Sequence, residues 1–161
     1  MLKKEEITLQ RAGPADAHDV SVMVGELLAE IENAIGAQVF NFDLGKTTAR
    51  LEDFFKVEKY FVFIARVGGT DPVGFISLYE SHSLYAGGAF GTIPELYVRP
   101  GHRAKALGLR LLSQARAFGA SRNWTRLEVT TPPLPQFERT LQFYIREGFS
   151  ISGGRKLKTA L

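Results

Sequence analysis

The sequence predicts a mixed α/β fold, one sheet of about six to seven strands with helices on both faces. Three features carry this reading. The run Tyr60–Val67 (YFVFIARV) is almost wholly apolar and β-prone, as expected of a strand covered on both sides. Val20, Val24, Leu27, Leu28, Ile31 and Ile35 recur at helical spacing. The order of elements starts with antiparallel pairs and ends in strand–helix–strand units. With 161 residues, 45% of them hydrophobic and 23% charged, the chain fits a single domain, 1–161, that can bury a substantial core.

Each element has a local reason. Ile7–Arg11 reads as a short first strand. Pro14 and Asp16 open the first helix, proline being suited to a first turn and aspartate to its positive end, and Gly36 stops it. Residues 46–55 form a second helix, with Leu51, Phe54 and Phe55 facing inward. After the strand 60–67, Gly68, Gly69, Asp71 and Pro72 supply a turn, and Val73–Ser81 returns as the other arm of a hairpin. Tyr85–Gly91 (YAGGAFG) reads as a Gly-rich loop and Thr92–Val98 as the next strand. A helix follows over Arg103–Phe118 and ends at Gly119; Trp124–Thr130 is another strand. The PPLP run at 132–135 is a stiff connection to a short helix, Phe137–Glu147, ended by Gly148. From Phe149 one or two final strands are expected, broken at Gly153-Gly154.

The formal net charge of +3 is small, because 20 basic residues are nearly matched by 17 acidic ones. Much of the surplus lies in Arg99–Arg110 and Arg155–Lys158, which favours a compact polyanion as partner over a long nucleic-acid track. The chain has no cysteine, so disulfides, thiolate metal ligands and cysteine nucleophiles are excluded together. His18, His82 and His102 show no ligand spacing, so no metal is expected. Gly-x-Ser-x-Gly and the Walker lysine motif are both missing, which argues against a hydrolase triad and a P-loop. MLKKEEITLQ has no apolar signal core, and no apolar run approaches the ~20 residues of a membrane helix. A cytoplasmic protein with no membrane partner is expected.

The segment 96–112 (LYVRPGHRAKALGLRLL) concentrates the chemistry. A strand ends at Val98, Pro100-Gly101 turns the chain, and a helix begins among small and basic residues. Unpaired N–H groups at such a helix start, with the helix dipole and with Arg103 and Lys105, make an anion site. The small residues Ala104, Ala106 and Gly108 let a phosphate approach the backbone. A basic first turn that is merely solvated is the competing reading.

Here the sequence resembles the GCN5-related N-acetyltransferase (GNAT) superfamily, over nearly its whole length. The family's pyrophosphate motif, [Arg/Gln]-x-x-Gly-x-[Gly/Ala], aligns with Arg103-Ala104-Lys105-Ala106-Leu107-Gly108, preceded by Val98-Arg99-Pro100 and followed by Leu109–Leu112. A second element, an aromatic pair followed by Gly-Phe, aligns with Phe143-Tyr144-Ile145-Arg146-Glu147-Gly148-Phe149. Three positions depart from the pattern, the first being Ala104, where the family commonly has a glycine after the arginine. The central glycine is Ala106, whose methyl is compatible with helical backbone angles, and the asparagine often found seven residues before the tyrosine is Phe137.

The resemblance implies acetyl-CoA as co-substrate and an amine as acceptor. It implies that the pantetheine arm pairs with backbone around Leu96, Tyr97 and Val98, in a gap between that strand and the strand 124–130. The Val98 N–H would stabilise the thioester oxygen, residues 103–108 would hold the diphosphate, and Leu109, Phe137 and Tyr144 would also be among the cofactor-binding residues. Tyr144 would protonate the leaving thiolate, a phenol being protonated at neutral pH. Glu95 is the nearest carboxylate in sequence and, acting through water, the preferred base, a structural carboxylate being the alternative; strand alternation without a bulge puts it with Tyr97 on the face opposite Leu96 and Val98. Phe40–Asp43 and Tyr85–Gly91 lie where the family lines its acceptor site, and Glu30 and Glu32 are either attractors of a cationic amine or solvated helix charges. The resemblance also admits a homodimer. Two alternatives stand beside this reading: a CoA-binding module of the same fold without turnover, and a nucleic-acid-binding basic domain.

Overall fold

β2 (Phe61–Val67) is buried along its full length, and alternation divides its side chains between two cores. In the computed structural model, which describes residues 5–161, Val62 and Ile64 face the helices α1 (Ala17–Ile35) and α2 (Leu44–Lys56). They meet Ala17, Val20 and Met23 of α1 and Leu51 of α2. Phe61 and Phe63 face the other way, where their rings pack on Phe118 of α3 (Leu107–Ser121) at 4.8 and 5.7 Å between centroids. The reading of the first residues as lacking a signal core falls in part on Met1–Lys4, outside the described residues. Among those described, no helix is long and apolar enough to cross a membrane.

The sheet has six strands. β1 (Ile7–Arg11) pairs antiparallel with β2, which pairs antiparallel with β3 (Asp71–Ser83). The far edge of β3 is shared: its end pairs with β4 (Gly88–Ile93) and its start with β5 (Leu96–Val98), both antiparallel. β6 (Leu127–Val129) adds in parallel to β4. A half-buried ion-pair cluster ties the start of α1 to the sheet, with the Arg66 guanidinium on β2 reaching Asp16, just before the helix, at 2.8 Å and Asp19 in its first turn at 3.0 Å.

The chain divides into two units, Met1–Thr130 and Thr131–Leu161. The first holds the whole sheet with α1 to α3. The second holds α4 (Glu138–Arg146), with Phe137 at its N-cap and Gly148 in the left-handed region two residues past its end.

The mixed sheet with helices on both faces is as the sequence predicts, and four local expectations are corrected. The strand expected over Thr92–Val98 is two strands, because Pro94 has no N–H for the ladder and interrupts it before Glu95. The loop expected over 85–91 is a tight turn whose last residues already belong to β4. Phe54 is on the solvent side of α2's inner stripe, 36% exposed, so only Leu51 and Phe55 of the expected trio pack inward. No strand forms after Phe149: the segment is exposed, has two glycines in its middle, and offers too few apolar side chains in alternation to bury a face.

Candidate active site

The backbone of β5 has one free edge. Ser77 N donates to Glu95 O and Arg99 N donates to Val73 O, each at 2.9 Å, so residues 95, 97 and 99 turn their backbone groups toward β3. Leu96 and Val98 therefore turn theirs away. On that side β5 has no strand partner among the described residues, since β6 pairs with β4. The Val98 carbonyl accepts from Arg103 Nε at 2.7 Å, which leaves the Val98 N–H and both groups of Leu96 as open hydrogen-bonding positions.

Immediately before β5, Glu95 points to the α1–α2 side, the side on which Tyr97 is buried. The Tyr60 hydroxyl donates to Glu95 Oε2 at 2.5 Å, and the Ser77 hydroxyl donates to the same oxygen. Glu95 N in turn donates to Ser77 Oγ at 3.1 Å, so the serine ties both ends of the residue to β3. Oε1 has no partner among the described residues and is the oxygen available to an occupant of the adjoining cavity. Burial pushes the Glu95 carboxyl above the ordinary carboxylate range, and the two hydroxyl donors oppose that shift in part. Burial, with the neighbouring carboxylate, pushes the Tyr60 phenol up as well, which keeps it protonated as a donor.

The cavity has a volume of about 280 Å³. Val20, Val24 and Leu28, one stripe of α1, form one wall; Thr47, Arg50, Leu51 and Phe54, one stripe of α2, form another. Phe40, Asn41 and Phe42 close it from the connection between these helices, and Tyr60, Phe75 and Glu95 make the floor. Gly25 allows the closure: a Cβ there would lie 2.5 Å from the Phe42 ring.

Beyond β5 the chain does not enter a helix at Arg103. Residues Pro100–Lys105 form a 3-10 turn, Ala106 stands in the left-handed region at φ 54° and ψ 26°, and α3 begins at Leu107. This corrects the expected helical geometry at 106. The first intrahelical bond is Arg110 N to Ala106 O, so the N–H groups of Leu107, Gly108 and Leu109 carry no helix partner, and no side chain caps them. Leu107 itself is fully buried and anchors this end of the helix. The basic residues of the segment divide by role. Arg103 forms a two-pronged pair with Glu30 of α1, both contacts at 2.7 Å, and Arg99 meets Glu26 one turn earlier at 3.1 Å. Arg110 donates to the Ile7 carbonyl at 3.0 Å, and Lys105 has no carboxylate partner among the described residues. Glu32 accepts from the Val39 N–H at 2.7 Å and from Phe40 N at 3.3 Å, so Glu30 and Glu32 are both committed within the fold.

In the second unit Tyr144 is buried, with Phe143 and Phe149 edge-on to its ring at 5.2 Å. Burial raises its phenol pKa.

The sequence profile of the acetyltransferase (GNAT) family matches residues 28–149, three quarters of the chain. The chain belongs to the GNAT family. No curated protein matches it in sequence. Solved GNAT structures share its fold. The ribosomal-protein-alanine N-acetyltransferase of Brucella melitensis biovar Abortus 2308 is 19% identical, with a TM-score of 0.72 over 96% of this chain and 100% of that one. A GCN5-related N-acetyltransferase from Ralstonia eutropha JMP134 is 18% identical, with a TM-score of 0.75 over 96% and 99%. An aminoglycoside acetyltransferase from an uncultured soil metagenomic sample, solved with sisomicin, is 14% identical, with a TM-score of 0.75 over 96% of each chain.

The residues of the GNAT motif now have places. Arg103, Ala104 and Lys105 are in the 3-10 turn, Ala106 is the left-handed N-cap, and Gly108 and Leu109 give the first free N–H groups of α3. Leu96, Tyr97 and Val98 are β5, and Phe137 and Tyr144 are in the second unit. Sequence reasoning missed Tyr60 and Ser77, which are 35 and 18 residues from Glu95 and share no motif with it. It also missed the left-handed backbone at Ala106, although a signal was present: a motif that asks for glycine at one position is asking for positive φ there.

Proposed function

We propose that the protein is an acetyl-CoA-dependent N-acetyltransferase acting on a primary amine by direct transfer. The observation that carries this reading is the free edge of β5 beside Glu95: the Val98 N–H, a candidate oxyanion donor, and a buried carboxylate stand three residues apart in one short stretch of chain. Acetyl-CoA supplies an activated acetyl group. The uncapped N–H groups of residues 107–109, with Lys105, suit its diphosphate. The open backbone positions of Leu96 and Val98 suit an extended amide-bearing arm, and the Val98 N–H is free to donate to the carbonyl oxygen as charge builds on it.

The acceptor enters the cavity, where Glu95 Oε1 removes a proton from the ammonium so that the neutral nitrogen can attack. A carboxyl raised by burial is closer to neutrality than a solvated one and so is a stronger base. Tyr144, by its place in the family motif, is assigned the return of a proton to the leaving thiolate. At Ala106 the left-handed backbone leaves the N–H groups of residues 107–109 without a side-chain cap, which supports an anion site there.

Thermal unfolding at fixed salt tests the cofactor. A ligand at ~100 times its Kd stabilises by ~2.7 kcal/mol, so CoA and acetyl-CoA should each raise the midpoint by roughly 5–10 °C while ATP raises it little. Thiol release from acetyl-CoA with an amine panel tests transfer. Stabilisation by CoA without release of thiol to any amine would leave a CoA-binding module; no stabilisation would overturn the reading.

A further inference from the structure

We propose that the acceptor of this site is an amphipathic amine: a primary amine on a compact, apolar or aromatic body whose far end carries an anionic group. This rests on the acetyl-transfer reading above and adds the class of acceptor. The charges of the cavity give the polarity. Glu95 is the one carboxylate of the lining and lies on its floor; Arg50 is the one cation and lies on its exposed rim. Arg66, Arg99, Arg103 and Arg126 each meet a carboxylate. Arg50 has neither hydrogen bond nor ion pair among the described residues, so its planar donor fork is available to a ligand. A guanidinium of this kind matches a carboxylate with two parallel hydrogen bonds.

Between these charges the lining is mostly apolar, with Asn41 and Thr47 as neutral polar members, and its aromatic members, Phe40, Phe42, Phe54, Tyr60 and Phe75, come from four separate segments of the chain. The volume of about 280 Å³ is at the low end of ligand cavities, ~300–1,000 Å³, and suits a body of about one ring. The same arrangement disfavours a polycation. A second ammonium would meet Arg50 at the rim and find no carboxylate in the lining beyond the one that takes the first.

Three probes test this: 4-(2-aminoethyl)benzoate, 2-phenylethylamine and spermidine. Thiol release is measured with acetyl-CoA, and binding of each probe is measured by calorimetry on the CoA-loaded protein. The benzoate is expected to exceed phenylethylamine in kcat/KM by about tenfold or more, the gain one charge-assisted pair gives, chiefly through KM, with spermidine last. Arg50→Gln should bring the two aryl amines to near equality, and Arg50→Lys should keep part of the difference. Arg50 is exposed on α2, so these variants fold. Equal use of the aryl amines, a preference for spermidine, or a benzoate advantage that survives Arg50→Gln overturns the inference. Where no probe releases thiol, calorimetry separates the two claims. Arg50-dependent binding of the benzoate would uphold the acceptor class and overturn transfer; binding without that dependence, or none, would overturn the acceptor class.

Discussion

Ala106 has a side chain where the backbone conformation suits glycine. A left-handed residue with a Cβ costs about 1–2 kcal/mol, and replacement by glycine recovers this less the extra freedom glycine gains in the unfolded chain, about 0.4–1 kcal/mol. Ala106→Gly is therefore expected to stabilise by about 0.5–1 kcal/mol, a rise in Tm of about 1–4 °C, with CoA affinity unchanged or tighter. A lowered Tm would mean that the chain at 106 is not left-handed. Glu95 gives a second prediction, with a definite sign. Its pKa is raised in the folded state by burial, so the folded protein holds that proton more tightly than the unfolded chain does. The stability this contributes is complete below the ordinary carboxylate value and is lost as pH rises through the raised one. Glu95→Gln, which is not subject to that loss, should gain in Tm relative to the parent as pH increases, and the difference should vanish in acid. The same variant should lower turnover by about 10²–10⁴-fold, and the acid limb of the parent's kcat/KM should lie above ~4.3, the reference glutamate value. A Tm difference that does not change with pH would place the Glu95 carboxyl in water.

Elements meet at the site through α1. Its outer row, Glu26 and Glu30, holds Arg99 and Arg103, while its inner row walls the cavity. Arg103 thus ties α1 to the turn before α3. Because the Arg103–Glu30 pair is 43% and 37% exposed, a double-mutant cycle with Arg103→Gln and Glu30→Gln should return no more than about 1 kcal/mol. Lys105→Gln should weaken CoA binding and flatten its salt dependence, with Tm unchanged. Equal losses of CoA affinity from Arg103 and Lys105 would reverse this division. Gly25→Ala tests the other row. The helix gains about 1 kcal/mol from the substitution, but the new methyl displaces the Phe42 ring, so stability should hold while acceptor KM rises and CoA affinity stays. The same elements show what the sequence could reveal. Periodicity and apolar runs made α1, β2 and the helix after β5 legible, since those signals are set by burial. Pro94 and the motif glycine at 106 were legible in principle as backbone constraints, but a reading by hydrophobic pattern runs through both. Tyr60, Ser77 and Arg50 reach the site only through the pairing of β2, β3 and β5 and the docking of α2, so no local pattern marks them.

For the molecule as a whole, the sheet is complete along β1, β2 and β3 and then divides. β4 is paired on both sides, whereas β5 is paired only to β3. The division has a covalent cause in Pro94 and a packing cause in Trp124. Its indole lies against Phe61 and Phe118 and donates to Glu80 at 2.6 Å, holding the chain that leads into β6 alongside β4. The consequence is an edge strand in the middle of the chain, a liability that proteins ordinarily cover. Under the proposed function the co-substrate covers this edge, and amide exchange reads it directly. The Tyr97 and Arg99 N–H groups, turned to β3, should exchange slowly with or without ligand. The Leu96 and Val98 N–H groups, turned to the free edge, should exchange quickly in the free protein and slow by about tenfold or more when CoA is bound, since a hydrogen bond to ligand of ~1.4 kcal/mol changes the open population by that factor. Protection that appears at residues 107–109 and not at 96 and 98 would mean that the diphosphate binds while the arm takes another path, and the Val98 N–H would then lose its assigned role.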